Sequence, residues 1–154
     1  MPRGFHFSLA VSYDSTMISL RLRLTVIDCP DPFALATFYA DILSLDVEIL
    51  EGYPPEEATW IEILDQGVSV LAFQKIDTYV APTWPEGAVP QQLHLDIAVT
   101  NLDEGEAWVL ARGATKDPEQ RGRNFRIYRD PVGHPFCLVT DGSNDESSVL
   151  VEHP

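Results

Sequence analysis

The chain has 154 residues, 45% hydrophobic and 22% charged, a make-up that fits one compact soluble domain and excludes a multidomain machine. Twenty-four acidic against ten basic side chains leave a formal charge of −14, a field that repels phosphate backbones and anionic surfaces, so neither nucleic acid nor membrane is expected as a partner. Two cysteines, Cys29 and Cys137, are too few for a disulfide scaffold and point to a reducing, cytoplasmic setting; no apolar run approaches the roughly 18–20 residues of a membrane helix.

Residues 1–17 read as an N-terminal extension, with Met17 standing just before the first regular pattern. From Ile18 to Asp28, Leu20, Leu22, Leu24 and Val26 alternate with Arg21, Arg23 and Thr25, the period of a half-buried strand. Asp31 then suits a helix cap and Pro32 the first turn, and Leu35, Phe38, Tyr39, Ile42 and Leu43 form one apolar helical face. Short strands are expected near 46–50, 59–64 and 68–74, broken by turn residues at 52–55 and 65–67. Pro82, Pro85 and Pro90, with Trp84 as anchor, make residues 82–90 a stiff linker.

The second half repeats the order. A strand is expected over 92–99, then a helix from Asp103 to about Arg112, with Asp103 as cap and Glu106 completing a capping box. Gly113 suits a left-handed helix end. Strands near 114–116, 124–129 and 135–141 follow, the last two joined by a turn at Asp130-Pro131-Val132-Gly133. The pattern predicts an α+β fold of tandem βαβββ modules, about 18–81 and 91–141, making one domain over 18–141 with a fraying tail over 142–154. Two small sheets that each lack a second partner must share a cleft.

These residues resemble the vicinal oxygen chelate superfamily, which includes glyoxalase I, bleomycin-resistance proteins and extradiol dioxygenases. The resemblance lies in Asp31-Pro32 through Phe38-Tyr39 and Ile42-Leu43-Ser44-Leu45, in His94-Leu95-Asp96-Ile97-Ala98-Val99 with Asn101-Leu102-Asp103, and in Asp130-Pro131-Val132-Gly133-His134-Pro135-Phe136. It covers nearly all of 18–141 and is nearest to the small glyoxalase-like domains. It implies cupped sheets around a small-molecule cavity, a homodimer, and, in metal-dependent members, ligands on the first and last strands of each module. Those positions fall here on Leu24, which cannot ligate, on Gln74, a weak oxygen donor, on His94, a clear match, and on Cys137, where Glu is more usual. A divalent metal held by His94 and Gln74 is therefore the weaker expectation, and no cofactor the stronger.

Read from the residues, Gln92, His94 and Asp96 share one strand face opposite Leu93, Leu95 and Ile97. Asp96 there can orient His94 for acid or base work, and both are the candidate catalytic residues. The competing structural reading is that Gln92 and Asp96 tie down loops and His94 is a satisfied interior histidine. Leu22, Leu24 and Val26 make the matching wall apolar, so the pocket suits a hydrophobic organic molecule held by few polar contacts. Gln92, Leu24, Trp60, Phe73, Gln74, Trp84, Phe136 and Cys137 are the candidate ligand contacts, although aromatics at strand spacing more often belong to a core. Arg121, Arg123, Arg126 and Arg129 read as solvated charges, because strand alternation divides Arg126 and Arg129 between two faces. His134 reads as a turn residue. Three functions remain open: metal-free binding or acid–base chemistry on a small organic molecule, a metal-dependent lyase, isomerase or dioxygenase, and a non-catalytic interaction domain.

Overall fold

The computed structural model describes residues 18–49 and 54–140. The expected N-terminal extension and the C-terminal tail lie outside the described residues. In the first half, β1 (Thr25–Cys29), α1 (Pro32–Leu43), β2 (Asp46–Val47), β3 (Trp60–Asp65) and β4 (Val68–Lys75) form a sheet of order β1-β4-β3-β2. In the second, β5 (Leu95–Val99), α2 (Leu102–Leu110), β6 (Thr115–Lys116), β7 (Phe125–Arg129) and β8 (Pro135–Thr140) form a sheet of order β5-β8-β7-β6. In both sheets the first and last strands pair in parallel and the other pairs are antiparallel. The architecture is α+β, and the same topology is written twice.

Helix α1 starts where Asp31 Oδ1 accepts the Ala34 N–H at 3.0 Å, and it ends at Ser44, which takes the left-handed conformation at φ 57°. Its buried face presents Leu35, Ala36, Phe38, Tyr39 and Ala40. Tyr39 stacks on Phe73 of β4 at 5.5 Å and meets Phe136 of β8 edge-on at 6.3 Å. Phe136 in turn stacks on Tyr128 of β7. One aromatic core therefore runs from the first sheet, through α1, into the second, so neither half buries its apolar face alone.

Helix α2 is attached differently, since Val109 is its one buried residue. Glu106 instead accepts from the Tyr128 hydroxyl at 2.8 Å, Arg126 Nη1 at 2.8 Å and Lys116 Nζ at 2.7 Å, a polar latch between helix and sheet. Gly105 lets the two approach, because a Cβ there would come within 3.1 Å of both Leu138 and Val99. The cap of α2 is Asn101, whose Oδ1 accepts from the N–H groups of Asp103 and Glu104. Asp103 is not the cap and Glu106 makes no capping box, because the helix begins two residues earlier than a cap at Asp103 would set and Glu106 is drawn to the sheet. The first strand is also shorter than the alternation over 18–28 suggests. Leu20 and Leu22 are about 90% exposed and join no ladder, since β4 pairs only from Thr25 onward.

Candidate functional site

Strand alternation sends Leu95 and Ile97 of β5 toward α2 and Asp96 to the opposite face, where its register partner is Cys137 of β8. His94, one residue before β5, turns to the same side, with Nε2 3.4 Å from Asp96 Oδ1. Its Nδ1 lies 3.3 Å from the Gln91 side-chain amide, and its ring lies 5.9 Å from that of Trp84. Donation from the Gln91 amide to Nδ1 leaves the proton of a neutral imidazole on Nε2, facing the carboxylate. Burial, then the neighbouring Asp96 carboxylate, push the Cys137 thiol up to about 12.

The donor atoms of His94, Asp96 and Cys137 lie within 4.8 Å of one another. Three converging protein ligands of N, O and S type suit a divalent cation with an open position, so the residues fit such a group in number and spacing. Gln74 is exposed on β4 of the other sheet, in register with Asp28 and Trp60, and the compact donor group is formed without it.

Where the edges of β1 and β5 approach, residues 76–80 and the linker close a seam cavity of about 340 Å³. Val26, Asp28, Tyr79, Val89, His94 and His134 line it, together with Gln92 and Leu95. The linker is folded on itself by a Thr83–Pro90 bridge and pinned to β7 by Arg129, which reaches the carbonyls of Pro82 and Trp84 and pairs with buried Asp117 at 2.9 Å. Gly133 permits close docking of this segment, since its φ is 101° and a Cβ would stand 2.9 Å from Ala81. Among the described residues, Thr83 Oγ1 and the indole N–H of Trp84 in the linker, and Oε1 of Gln91 just after it, are buried without a partner.

A second polar group stands at the same cavity. The buried Asp130 carboxylate accepts from the Tyr39 hydroxyl at 3.1 Å, from the N–H groups of Val132 and His134, and contacts His134 Nδ1 at 3.0 Å. Tyr79 donates to the Val132 carbonyl at 3.1 Å and lies 3.3 Å from His134 Nε2. His134 is thus both the turn residue expected and a cavity wall.

The sequence-derived residues separate as follows. His94, Asp96 and Cys137 come together, and Gln92 and His94 border the seam cavity. Gln92 is exposed and donates to the carbonyls of Pro90 and Gln91. Trp84 lies against His94 without reaching the cavity surface. Phe73 and Phe136 are fully buried against Tyr39 of α1 and line neither the seam cavity nor the pocket beside Trp60. Leu24 is half-buried just before β1, outside the cavity lining, and Val26 is the one member of the expected apolar wall that reaches it. Trp60 lines a separate pocket of about 230 Å³ in the first module, its indole donating to Glu62 at 3.0 Å. Glu62, unread in the sequence, is buried there, and the Ser69 hydroxyl first, then Trp60 and Arg23, hold its carboxyl below the usual range. Arg126 is spent on the α2 latch and Arg129 on the linker, so they are anchors and not free charges.

The fold, the doubled topology and a cavity at the seam define an α+β domain of two like modules. A family model described as a glyoxalase-like domain matches residues 24–139, and the chain belongs to that family. The chain is similar to a glyoxalase/bleomycin resistance protein of Albidiferax ferrireducens, with 14% identity, 77% of this chain and 97% of that one covered, and a TM-score of 0.52. It is also similar to a glyoxalase/bleomycin resistance protein/dioxygenase family enzyme of Burkholderia phytofirmans (19%, 77% and 96%, TM-score 0.54). A third similar structure is FosX, a fosfomycin resistance protein of Listeria monocytogenes (17%, 80% and 94%, TM-score 0.54). At these identities the likeness is one of fold. No protein of curated function matches the chain. None of the helices in the described residues is long and apolar enough to cross a membrane.

Proposed function

We propose that the protein takes a small organic molecule into the seam cavity and that His94, backed by Asp96, acts on it as acid and base without a metal. The observation that carries this reading is that His94 lines the cavity while its Nε2 faces the Asp96 carboxylate at 3.4 Å. Asp96 holds the ring through Nε2 and offsets the charge when Nδ1, released by the Gln91 amide, takes a proton from the ligand and later returns it; Val26, Val89 and Leu95 exclude water from the ligand's apolar body. The test is thermal shift against a panel of neutral fragments, repeated with His94→Ala. Hits that stabilise the wild type and are weakened in the variant support the reading; a panel without a hit points to the non-catalytic interaction domain and overturns it.

The convergence of three donors favours one second reading, metal-dependent lyase, isomerase or dioxygenase chemistry, with His94, Asp96 and Cys137 as the holders of a divalent cation. Such an ion supplies a Lewis acid that polarises a ligand oxygen. Elemental analysis of purified protein separates the two, since a stoichiometric metal lost in Asp96→Ala would overturn the metal-free assignment. The two unpaired thiols support a cytoplasmic setting, and the exposed Leu20 and Leu22, which precede the edge strand β1, support a homodimer. Light scattering giving a 17.2 kDa particle would refute the dimer.

A further inference from the structure

The walls of the seam cavity are unbalanced in charge. Asp28 lines the cavity from β1, is exposed, and among the described residues pairs with no lysine, arginine or histidine. Asp130 stands behind Tyr39, Tyr79 and His134, and no lysine or arginine lines the cavity. Asp28 on the wall, with no cationic partner, and Asp130 behind it, with His134 as its one basic partner among the described residues, leave a negative potential on a chain whose net charge of −14 already draws cations toward it. The Tyr79 phenol is pushed up by burial and then by Asp130, Cys29 and Asp28; the Cys29 thiol is pushed up to about 12 by burial and then by Asp31, Asp130 and Asp28. An anionic ligand would have to leave water here with no opposite charge to meet it, which is costly.

We propose that the seam cavity is a site for a small protonated amine with an apolar body, its ammonium paired with Asp28 beside the Tyr79 ring and its body against Val26, Val80 and Val89. The Tyr79 face adds an attraction for the same charge, and His134 with the Val132 carbonyl keeps that side chain in place. The assignment rests on the reading that the cavity takes an organic molecule, and it names the class.

The test uses three probes of one shape and different charge: benzylamine, benzyl alcohol and benzoate, titrated at pH 7 into the full chain by calorimetry and thermal shift. Benzylamine is expected to bind most tightly, benzyl alcohol more weakly, and benzoate not at all. Asp28→Asn is expected to weaken benzylamine roughly fivefold or more and to leave benzyl alcohol unchanged. Asp46→Asn, an exposed carboxylate on β2, serves as the control and should behave as wild type. Raising the salt should weaken benzylamine alone. Benzoate binding as well as benzylamine, or an unchanged benzylamine affinity in Asp28→Asn, overturns the amine assignment while the cavity stands. If none of the three binds, or if Val89→Trp, which fills the cavity, leaves every affinity unchanged, the underlying cavity reading fails and takes this one with it.

Discussion

Removing the Glu106 carboxylate should loosen α2 more than an exposed-face substitution ordinarily does. Glu106 is the common acceptor for Tyr128, Arg126 and Lys116, and Val109 is the one other buried attachment of the helix. In Glu106→Ala the hydroxyl of fully buried Tyr128 loses its acceptor, at roughly 1.5–3 kcal/mol. The Arg126 and Lys116 ends remain hydrated and add at most about 0.5 kcal/mol each. A total of about 1.5–4 kcal/mol corresponds to a fall in Tm of roughly 3–16 °C for a chain of this length. Glu106→Gln keeps an acceptor for Tyr128 and should cost only about 1 kcal/mol at pH 7. The pH dependence follows from the same contacts. Lys116 first, then Tyr128 and Arg126, hold the Glu106 carboxyl down at about 2, against 4.5 when unperturbed. A depressed carboxyl contributes stability that is fully present above about pH 4.5 and is lost as the pH falls toward about 2. The gap between wild type and Glu106→Gln should therefore close over that window. Urea denaturation at pH 7, 4.5, 3 and 2 measures it. A gap independent of pH, or Glu106→Ala within 0.5 kcal/mol of wild type, refutes the latch.

Phe136→Ala should cost roughly 3–5 kcal/mol and still give one transition reported together by Trp60 in the first half and Trp108 in the second, because the aromatic core spans both; separate transitions would show two independent units. Tyr39→Phe, which removes one of four donors to the Asp130 carboxylate, should lower stability by about 1–2 kcal/mol in urea denaturation; no change would mean that the hydroxyl is satisfied elsewhere. Cys29 is fully buried and its thiol is pushed up to about 12, so Ellman's reagent at pH 8 should find no reactive Cys29 in the native chain and a reactive one after denaturation.

The doubled architecture was legible because its signals are local. Asp31-Pro32 starts one helix, Asn101 to Glu106 marks the other, and Gly113 ends it with φ 102°. Period-two alternation also placed His94 and Asp96 on one face, and strand register then set Asp96 against Cys137. Parity could not say which face meets a helix, and so Phe73 and Phe136 could not be told from cavity liners. Asp28, Tyr39 and Tyr79 were invisible as cavity residues because they gather only when the parallel pairing of β1 with β4 brings the end of β1 to the segment 76–80. The four-residue spacing of Asp130 and His134 was readable as a turn, but its tie to Tyr79, 55 positions from His134, was not. The strong alternation of Leu20 and Leu22 outran the ladder, which begins at Thr25 opposite Leu71 although β4 itself begins at Val68.

The central claim is that a hollow enclosed by both halves receives a small organic molecule. Ligand-observed NMR of a fragment library tests it most directly, run in parallel on wild type and on Val89→Trp, with folding of the variant verified from its amide spectrum. Fragments whose signals broaden with wild type and recover with the variant are expected. Fragments that bind both proteins equally would place the binding elsewhere and contradict the claim.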